Sequence, residues 1–224
     1  MPEEVPWRLR TVIGLTCIIF LSYLLMIIVV SLVSGGQPGL GYLLLITALG
    51  SLFMLAGVWY LAARGGREWP KYLGFRVPKW TAAPMVLGVQ VLIYVLLSIY
   101  SFWIERLGVK APSDREVFAV FGGGLKGLIV AIVLVSIVAP FTEELFFRGL
   151  LFPALRQRMS LAGAAVISGS VFAFFHLVPA LFVPYVVIGS ALAVVYEANG
   201  SIIPSMALHS LNNTVALLVY YFYR

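Results

Sequence analysis

Residues 127–155, GLIVAIVLVSIVAPFTEELFFRGLLFPAL, decide the fold of this chain. The stretch is longer than the roughly 20 apolar residues that a helix needs to cross the hydrocarbon layer of a bilayer. It carries the charged side chains Glu143, Glu144 and Arg148, and each such charge costs roughly 2.5–3.5 kcal/mol at the bilayer centre. The stretch therefore predicts a membrane-spanning helix whose charges need partners or a function.

The composition of the whole chain agrees with this stretch. Of its 224 residues, 62% are hydrophobic and 11% are charged, whereas soluble domains are about half apolar and about a quarter charged. A chain of this length cannot bury so much apolar surface in one aqueous core. The same numbers exclude a disordered chain, a nucleic-acid module and a disulfide scaffold, and Cys17 has no second cysteine to pair with.

The apolar pattern predicts an all-α, polytopic membrane helical bundle. We expect about seven transmembrane helices, or eight if one long segment is broken. The predicted spans are residues 11–34, 40–63, 81–104, 127–155, 160–178, 180–197 and 200–223. In the crowded second half of the chain, turns are expected at Arg156–Ser160, Val178–Pro179 and Asn199–Gly200.

We divide the chain into two parts. Residues 1–119 hold three membrane helices, and residues 120–224 hold the helical core with the candidate catalytic residues. Between the second and third spans, residues 64–80 mix basic side chains with Trp69 and Trp80. Such a mixture is typical of a segment at headgroup level, so we interpret it as an interfacial anchoring loop rather than a gate for substrate.

The distribution of basic residues predicts the orientation of the bundle. A formal net charge of +6 is attributed to cytoplasmic loops rather than to nucleic-acid binding. The side that carries the N-terminus receives Arg8, Arg10, Arg64, Arg67, Lys71, Arg76, Lys79, Arg156 and Arg158. The other side receives Arg106, Lys110, Arg115, Lys126 and Arg224. This split predicts an integral protein of the cell's inner (plasma) membrane with a cytoplasmic N-terminus.

The charges of the fourth span divide into a pair and a single carboxylate. Glu144 and Arg148 are i,i+4 and can form an ion pair on one helix face, whereas Glu143 lies about 100° round the helix. This is the pattern of a structural pair beside a working carboxylate. The alternative interpretation is that the segment with these charges is a re-entrant end of the chain in the water interface. Pro140 lacks an N–H and is expected to free a backbone carbonyl near this site.

Both histidines of the chain fall in predicted spans. The fifth span brings His176, and the last span brings His209 with Asn213 one turn later. Glu143 and His176 are nearly equidistant from the turn near Met159–Ser160, so an antiparallel hairpin places them at similar depth. A Glu, two His and an Asn supply a general base, its partner and donors to an oxyanion, which hydrolysis of a peptide bond by activated water requires.

Three motifs resemble those of the CPBP family of intramembrane proteases. EELFFR at 143–148 matches EExxxR, Phe172–His176 matches FxxxH, and His209–Asn213 matches HxxxN. The resemblance covers roughly residues 120–220. The family includes the CAAX prenyl endopeptidases and bacterial proteins of bacteriocin processing and self-immunity.

The resemblance implies a role for each motif residue. Glu143 is expected to activate water with His176. His209 and Asn213 are expected to stabilise the oxyanion. Glu144 and Arg148 are expected to support the site.

The motif residues are compatible with a metal-dependent site and with a metal-independent one. Glu143, His176 and His209 form a legitimate set of zinc ligands. However, the chain has no HExxH motif, and each histidine comes from a different helix. The family resemblance implies a glutamate-type site with no cofactor, and a divalent metal such as zinc is the alternative.

Three functions are compatible with this cluster. The first is an endopeptidase that acts on a membrane-embedded or lipidated protein or peptide. The second is a non-catalytic scaffold, chaperone or immunity partner that keeps the cluster as polar glue in a stable membrane-protein complex. The third, a proton-coupled carrier, has no support from internal repeats. Contacts with membrane lipids are expected, and none with nucleic acid.

Overall fold

The structure, a computed structural model, describes residues 5–36, 39–109 and 118–222. Within these ranges the chain is all-α, with seven main helices and no strand. They are α1 (Leu9–Val33), α2 (Leu40–Ala62), α3 (Ala82–Arg106), α4 (Gly124–Arg156), α5 (Leu161–His176), α6 (Phe182–Asn199) and α7 (Ile202–Phe222). The predicted polytopic helical bundle is confirmed.

Six of the seven described helices are long and apolar enough to cross a bilayer. The other is α5, whose 16 residues extend about 24 Å at 1.5 Å per residue, against roughly 30 Å of hydrocarbon. It begins after Ser160, whose side chain accepts a hydrogen bond from the Gly163 N–H. It ends where Leu177 takes the left-handed conformation, with φ of 53°. The fifth predicted span, 160–178, is therefore a shorter helix than the others.

Residue types at the helix ends explain the predicted turns. Gly200 takes a φ of 65° and caps α6, so that α7 begins two residues later. Residues 157–160 separate α4 from α5.

None of the described helices is broken into two spans, which favours seven helices over eight.

The orientation of the bundle stays a prediction. Of the basic residues on which it rests, Lys110, Arg115 and Arg224 lie outside the described residues.

Helix α4 is irregular on both sides of its glutamates. Ile132–Val138 and Leu145–Leu151 are π-helical turns, and each is followed by an α-helical segment with a proline at its second residue, Pro140 or Pro153. A proline has no N–H to donate to the preceding turn, so the regular hydrogen-bond ladder is interrupted there. Glu143 and Glu144 end the α-helical segment between the two π turns, and such turns often mark functional sites.

Helices α5 and α6 approach each other closely through two glycines. A Cβ added at Gly169 would lie 2.7 Å from the Val186 carbonyl oxygen, and one at Gly189 would lie 2.8 Å from the Gly169 Cα. Small residues let membrane helices pack at short distance, where van der Waals contact replaces the missing hydrophobic drive. The contact fixes α6 at a level where the Gly189 carbonyl faces α4.

Residues 64–80 lie against the end of the bundle. From α2 the chain continues through the 3₁₀ turn Ala63–Glu68 into a short helix, Trp69–Tyr72. The Gly74 carbonyl then accepts a hydrogen bond from the Ile202 N–H at the start of α7, 2.9 Å. Trp80 is 89% exposed, as an aromatic anchor at headgroup level would be.

The division at residues 119 and 120 stays a prediction. One hydrophobic cluster contains buried residues from both parts, among them Val12 of α1, Leu61 of α2, Phe147 of α4 and Phe172 of α5. The first helices therefore pack directly on the core that carries the motifs.

The glycine contact predicts a selective loss of stability. Gly169→Ala is expected to lower the free energy of unfolding by about 1–3 kcal/mol, because its methyl group meets backbone that cannot yield easily. Thermal unfolding of the purified protein in detergent measures the change. Gly88→Ala in α3 is the control, since a Cβ there meets nothing within 4 Å. Equal stability of the two variants would contradict the close packing of α5 on α6.

Candidate active site

The ion pair predicted on α4 lies in the interior of the protein. Arg148 Nη1 donates to Glu144 Oε1 at 2.8 Å, and both side chains are fully buried. Arg148 Nη2 donates to the Gly189 carbonyl of α6, also at 2.8 Å. The guanidinium further lies 5.2 Å from the centre of the Phe172 ring. These contacts compensate the buried charge, and they place it inside the bundle.

His209 joins the two glutamates. Its Nδ1 lies 3.0 Å from Glu144 Oε1, and its Nε2 lies 3.8 Å from Glu143 Oε2. The first distance is a hydrogen bond, whereas the second lies beyond hydrogen-bond range. Ser205, one turn earlier on α7 and fully buried, lies beside the same Glu144 carboxylate. Helix α7 is thus tied to α4 through the carboxylate that Arg148 also holds.

Glu143 faces a cavity instead of the ion pair. Its side chain is 21% exposed, and the cavity has a volume of about 210 Å³. The walls come from four helices, α1, α2, α4 and α5. The described residues that line it are Ile19, Tyr23, Ile46, Thr47, Gly50, Ser51, Phe53, Met54, Ala139, Thr142, Glu143, Phe175 and His176. Phe53 is 45% exposed, so the cavity reaches the outer surface of the bundle between α1 and α2 on one side and α4 and α5 on the other.

His176 lines the same cavity as Glu143, as the hairpin argument predicts. Its Nδ1 lies 2.8 Å from the Phe172 carbonyl oxygen. A carbonyl oxygen only accepts, so Nδ1 carries the hydrogen and Nε2 keeps a free lone pair in the neutral ring. The ring also stacks on Tyr185 at 4.0 Å. These two contacts orient Nε2 as an acceptor for a proton.

Asn213 supplies the hydrogen-bond donor that the backbone lacks at Pro140. In the π turn the Ala139 N–H bonds to the Leu134 carbonyl, so the next donor in the ladder would be residue 140, which is a proline. The Val135 carbonyl accepts instead from Asn213 Nδ2 at 2.8 Å. The carbonyl that Pro140 was expected to free is therefore found, and Asn213 is its partner.

The predicted oxyanion donors lie behind the cavity wall. His209 is turned toward both glutamates, and one N–H of the Asn213 amide is used by Val135. Among the described residues, the cavity lining includes Glu143 and His176 but neither His209 nor Asn213. The second N–H of the Asn213 amide remains as a donor.

The alternative zinc site requires three ligands that converge. In the part of the chain that the structure describes, no group of three His, Cys, Asp or Glu side chains is arranged to hold a metal ion. Glu143, His176 and His209 belong to one cluster, but the ring nitrogens of His209 face the two carboxylates and Nδ1 of His176 faces a carbonyl. As they stand, these residues do not fit a zinc centre.

Sequence reasoning missed the wall that α1 and α2 contribute. Tyr23, Thr47 and Ser51 bring hydroxyl groups to the cavity, yet none of them carries a charge that would mark it in an apolar span. One signal was available, because Thr47 and Ser51 are i,i+4 and share a face of α2. The approach of the Tyr23 ring to Gly50, 3.4 Å from a Cβ placed there, has no such signal.

Comparison with known families agrees with the motifs. Residues 125–215 match the family model described as type II CAAX prenyl endopeptidase Rce1-like. This segment contains all three motifs, and the match supports its assignment to the CPBP family of CAAX proteases, which confirms the resemblance. The family points to a membrane-embedded protease. No curated protein and no solved structure shows significant similarity to the chain.

The buried pair predicts strong coupling between two substitutions. Glu144→Gln leaves Arg148 without a counter-charge in the interior, and we expect it to lower the free energy of unfolding by about 3–5 kcal/mol. The double variant Glu144→Gln/Arg148→Gln should lose less than the sum of the two single variants, because neither charge is then left alone. Thermal unfolding of the wild type, the two single variants and the double variant measures the coupling.

The matched control for this experiment is Glu68→Gln. Glu68 is 61% exposed and lies 3.7 Å from Lys71, and such exposed pairs contribute about 0–1 kcal/mol. Additive losses in the double variant, or a loss in Glu144→Gln no larger than in Glu68→Gln, would show that the interior pair is not a stabilising contact.

Proposed function

We propose that this protein is an intramembrane endopeptidase of the glutamate type, which hydrolyses a peptide bond of a membrane-embedded or lipidated protein or peptide. One observation carries the proposal. Of the two adjacent glutamates, Glu144 is held by Arg148, whereas Glu143 shares a cavity with the unpaired Nε2 of His176. A carboxylate and an imidazole nitrogen that face one cavity can hold a water molecule between them.

The reaction begins with that water. Glu143 takes a proton from it while His176 Nε2 accepts its second hydrogen bond, and the resulting hydroxide attacks the carbonyl carbon of the scissile bond. The carbon becomes tetrahedral, and its oxygen takes the negative charge. When the C–N bond breaks, Glu143 returns the proton to the leaving nitrogen, so that a carboxyl group and an amine are released.

The oxyanion is assigned to His209 and Asn213, as the family resemblance implies, although neither side chain lines the cavity itself. The support is the second N–H of the Asn213 amide and the position of His209 Nε2 next to the Glu143 carboxylate. Because Nδ1 of His209 carries the hydrogen that Glu144 accepts, Nε2 donates to the oxyanion only when the ring carries both protons. Donors fixed in advance are effective because they need no rearrangement when charge develops. Here the contact of Asn213 with Val135 and that of His209 with Glu144 provide the fixation.

Substrate is proposed to enter between helices rather than from a loop. The cavity lies among α1, α2, α4 and α5, and apolar side chains such as Ile19, Phe53 and Met54 surround its polar groups. An extended segment of a membrane protein or the end of a lipidated peptide could reach Glu143 by this route without crossing a charged surface. Hydroxyl groups of Tyr23, Thr47 and Ser51 offer hydrogen bonds to the backbone of such a segment.

A non-catalytic scaffold is the second candidate. The observation that favours it is the burial of Glu144, Arg148 and His209, whose hydrogen bonds join α4, α6 and α7 and would serve structure alone equally well. A scaffold would be isolated in a stoichiometric complex with an intact partner, whereas a protease would release a shortened product.

Substitution of Glu143 tests the catalytic assignment. Glu143→Gln removes the base and keeps the shape, so we expect cleavage to fall by about 10²–10⁴-fold. Comparative proteomics of membranes from cells that carry the wild type or the variant would detect the product that only the wild type forms. The thermal unfolding temperature should stay close to that of the wild type, because this carboxylate faces the cavity and not the ion pair.

The control is Glu105→Gln, which makes the same chemical change at an exposed position near the end of α3. It should leave the product profile unchanged. Full cleavage by Glu143→Gln would contradict the proposed mechanism, and loss of a bound intact partner in place of a lost product would identify the scaffold.

Metal removal provides a separate prediction. We expect the rate of cleavage of a peptide found by the proteomic comparison to be unchanged after incubation with EDTA or 1,10-phenanthroline, since no ligand set converges in the described residues. The rate is measured on purified protein in detergent. Loss of the rate with chelator, followed by recovery on addition of Zn²⁺, would contradict a metal-independent site.

A further inference from the structure

A second hollow lies at the end of the bundle where α1 begins and α4 ends. It has a volume of about 600 Å³ and is lined by Arg8, Leu9, Arg10, Ile13 and Arg158. Two segments far apart in sequence thus bring three guanidinium groups and two apolar side chains to one place. The hollow shares no lining residue with the cavity of the candidate active site.

The three arginines of this hollow have no ion pair with any other described residue. Two described acidic side chains at the same end of the bundle are engaged elsewhere, because Glu68 pairs with Lys71 and Glu197 pairs with Arg156 at 3.1 Å. Arginine side chains that line one hollow repel one another, and they lower this repulsion by binding an anion. Arginine also has the planar, forked geometry that fits the oxygens of a phosphate group.

We propose that this hollow binds the headgroup of an anionic phospholipid, with its phosphate among Arg8, Arg10 and Arg158. The apolar part of the lining decides for a lipid over a free phosphate ion. Ile13 is 46% exposed at the hollow, and an exposed face continues along α1 through Cys17 and Leu21 at four-residue spacing. An acyl chain can follow this face into the hydrocarbon layer while the headgroup stays with the arginines.

The lipid therefore bridges the beginning of α1 and the chain just after α4. Because α4 carries both glutamates of the candidate site, an occupied hollow holds α1 against the core at its end. This inference is independent of peptidase activity, since it needs only a membrane-spanning bundle and the five lining residues.

Native mass spectrometry of the purified protein with added dioleoyl phosphatidylglycerol tests the proposal. We expect one tightly held phosphatidylglycerol molecule and weaker retention of phosphatidylcholine. Each of Arg8→Gln, Arg10→Gln and Arg158→Gln should weaken binding about fivefold, as expected for the loss of one basic residue at a membrane surface. Arg67→Gln is the matched control, because Arg67 is exposed in the predicted interfacial loop, on the same side of the bundle, but outside the hollow.

Two further arms separate a lipid from other anions. Inorganic phosphate should compete weakly, and Ile13→Ser should weaken retention of phosphatidylglycerol without changing the effect of phosphate. The proposal is overturned if Arg67→Gln weakens binding as much as Arg158→Gln, if phosphatidylcholine binds equally well, or if inorganic phosphate displaces the lipid completely at equimolar concentration. Single substitutions at exposed positions keep the protein folded, and an unchanged unfolding temperature without lipid verifies this.

Discussion

The ion pair between Glu144 and Arg148 organises the polar interior of the bundle. In water such a pair would contribute little, but in a bundle surrounded by lipid each unpaired charge is expensive, so the partners stay together. Through Arg148 the pair reaches the Gly189 carbonyl of α6, and through Glu144 it reaches His209 of α7. Three helices are thereby held around one buried carboxylate, and the adjacent glutamate is left to face a cavity.

A second constraint comes from the backbone of α4. The π turn Ile132–Val138 and Pro140 together leave the Val135 carbonyl without a backbone donor, and Asn213 of α7 takes that place. A carbonyl without a partner is costly in the membrane interior, so this hydrogen bond fixes α7 against α4 one turn from His209. The irregular backbone of α4 therefore provides the acceptor of this hydrogen bond, and the HxxxN motif of α7 provides the donor.

Much of this arrangement could be predicted from the sequence. Charges in an apolar span are rare enough that the pairing of Glu144 with Arg148, the separate direction of Glu143 and the shared depth of His176 follow from helical geometry. Pro140 also predicted a backbone carbonyl without its usual donor. The family match covers residues 125–215, the segment in which these residues lie.

Other features depend on tertiary contacts that one sequence does not encode in any local pattern. The direction of His209 toward both carboxylates depends on the crossing of α7 over α4. The wall formed by Tyr23, Thr47 and Ser51 depends on how α1 and α2 pack on the core, because uncharged side chains in apolar spans give no signal of their own. In the sequence, the three arginines of the second hollow indicate only the orientation of the bundle. Residues 8 and 158 become neighbours only in the folded chain.

The most direct test of the central claim is an experimental structure of the Glu143→Gln protein with its substrate peptide bound. The account predicts that the scissile carbonyl lies in the cavity between α1, α2, α4 and α5, within one water molecule's reach of the side chain at position 143 and of His176 Nε2. A peptide bound on another face of the bundle, with that cavity empty of substrate, would contradict it.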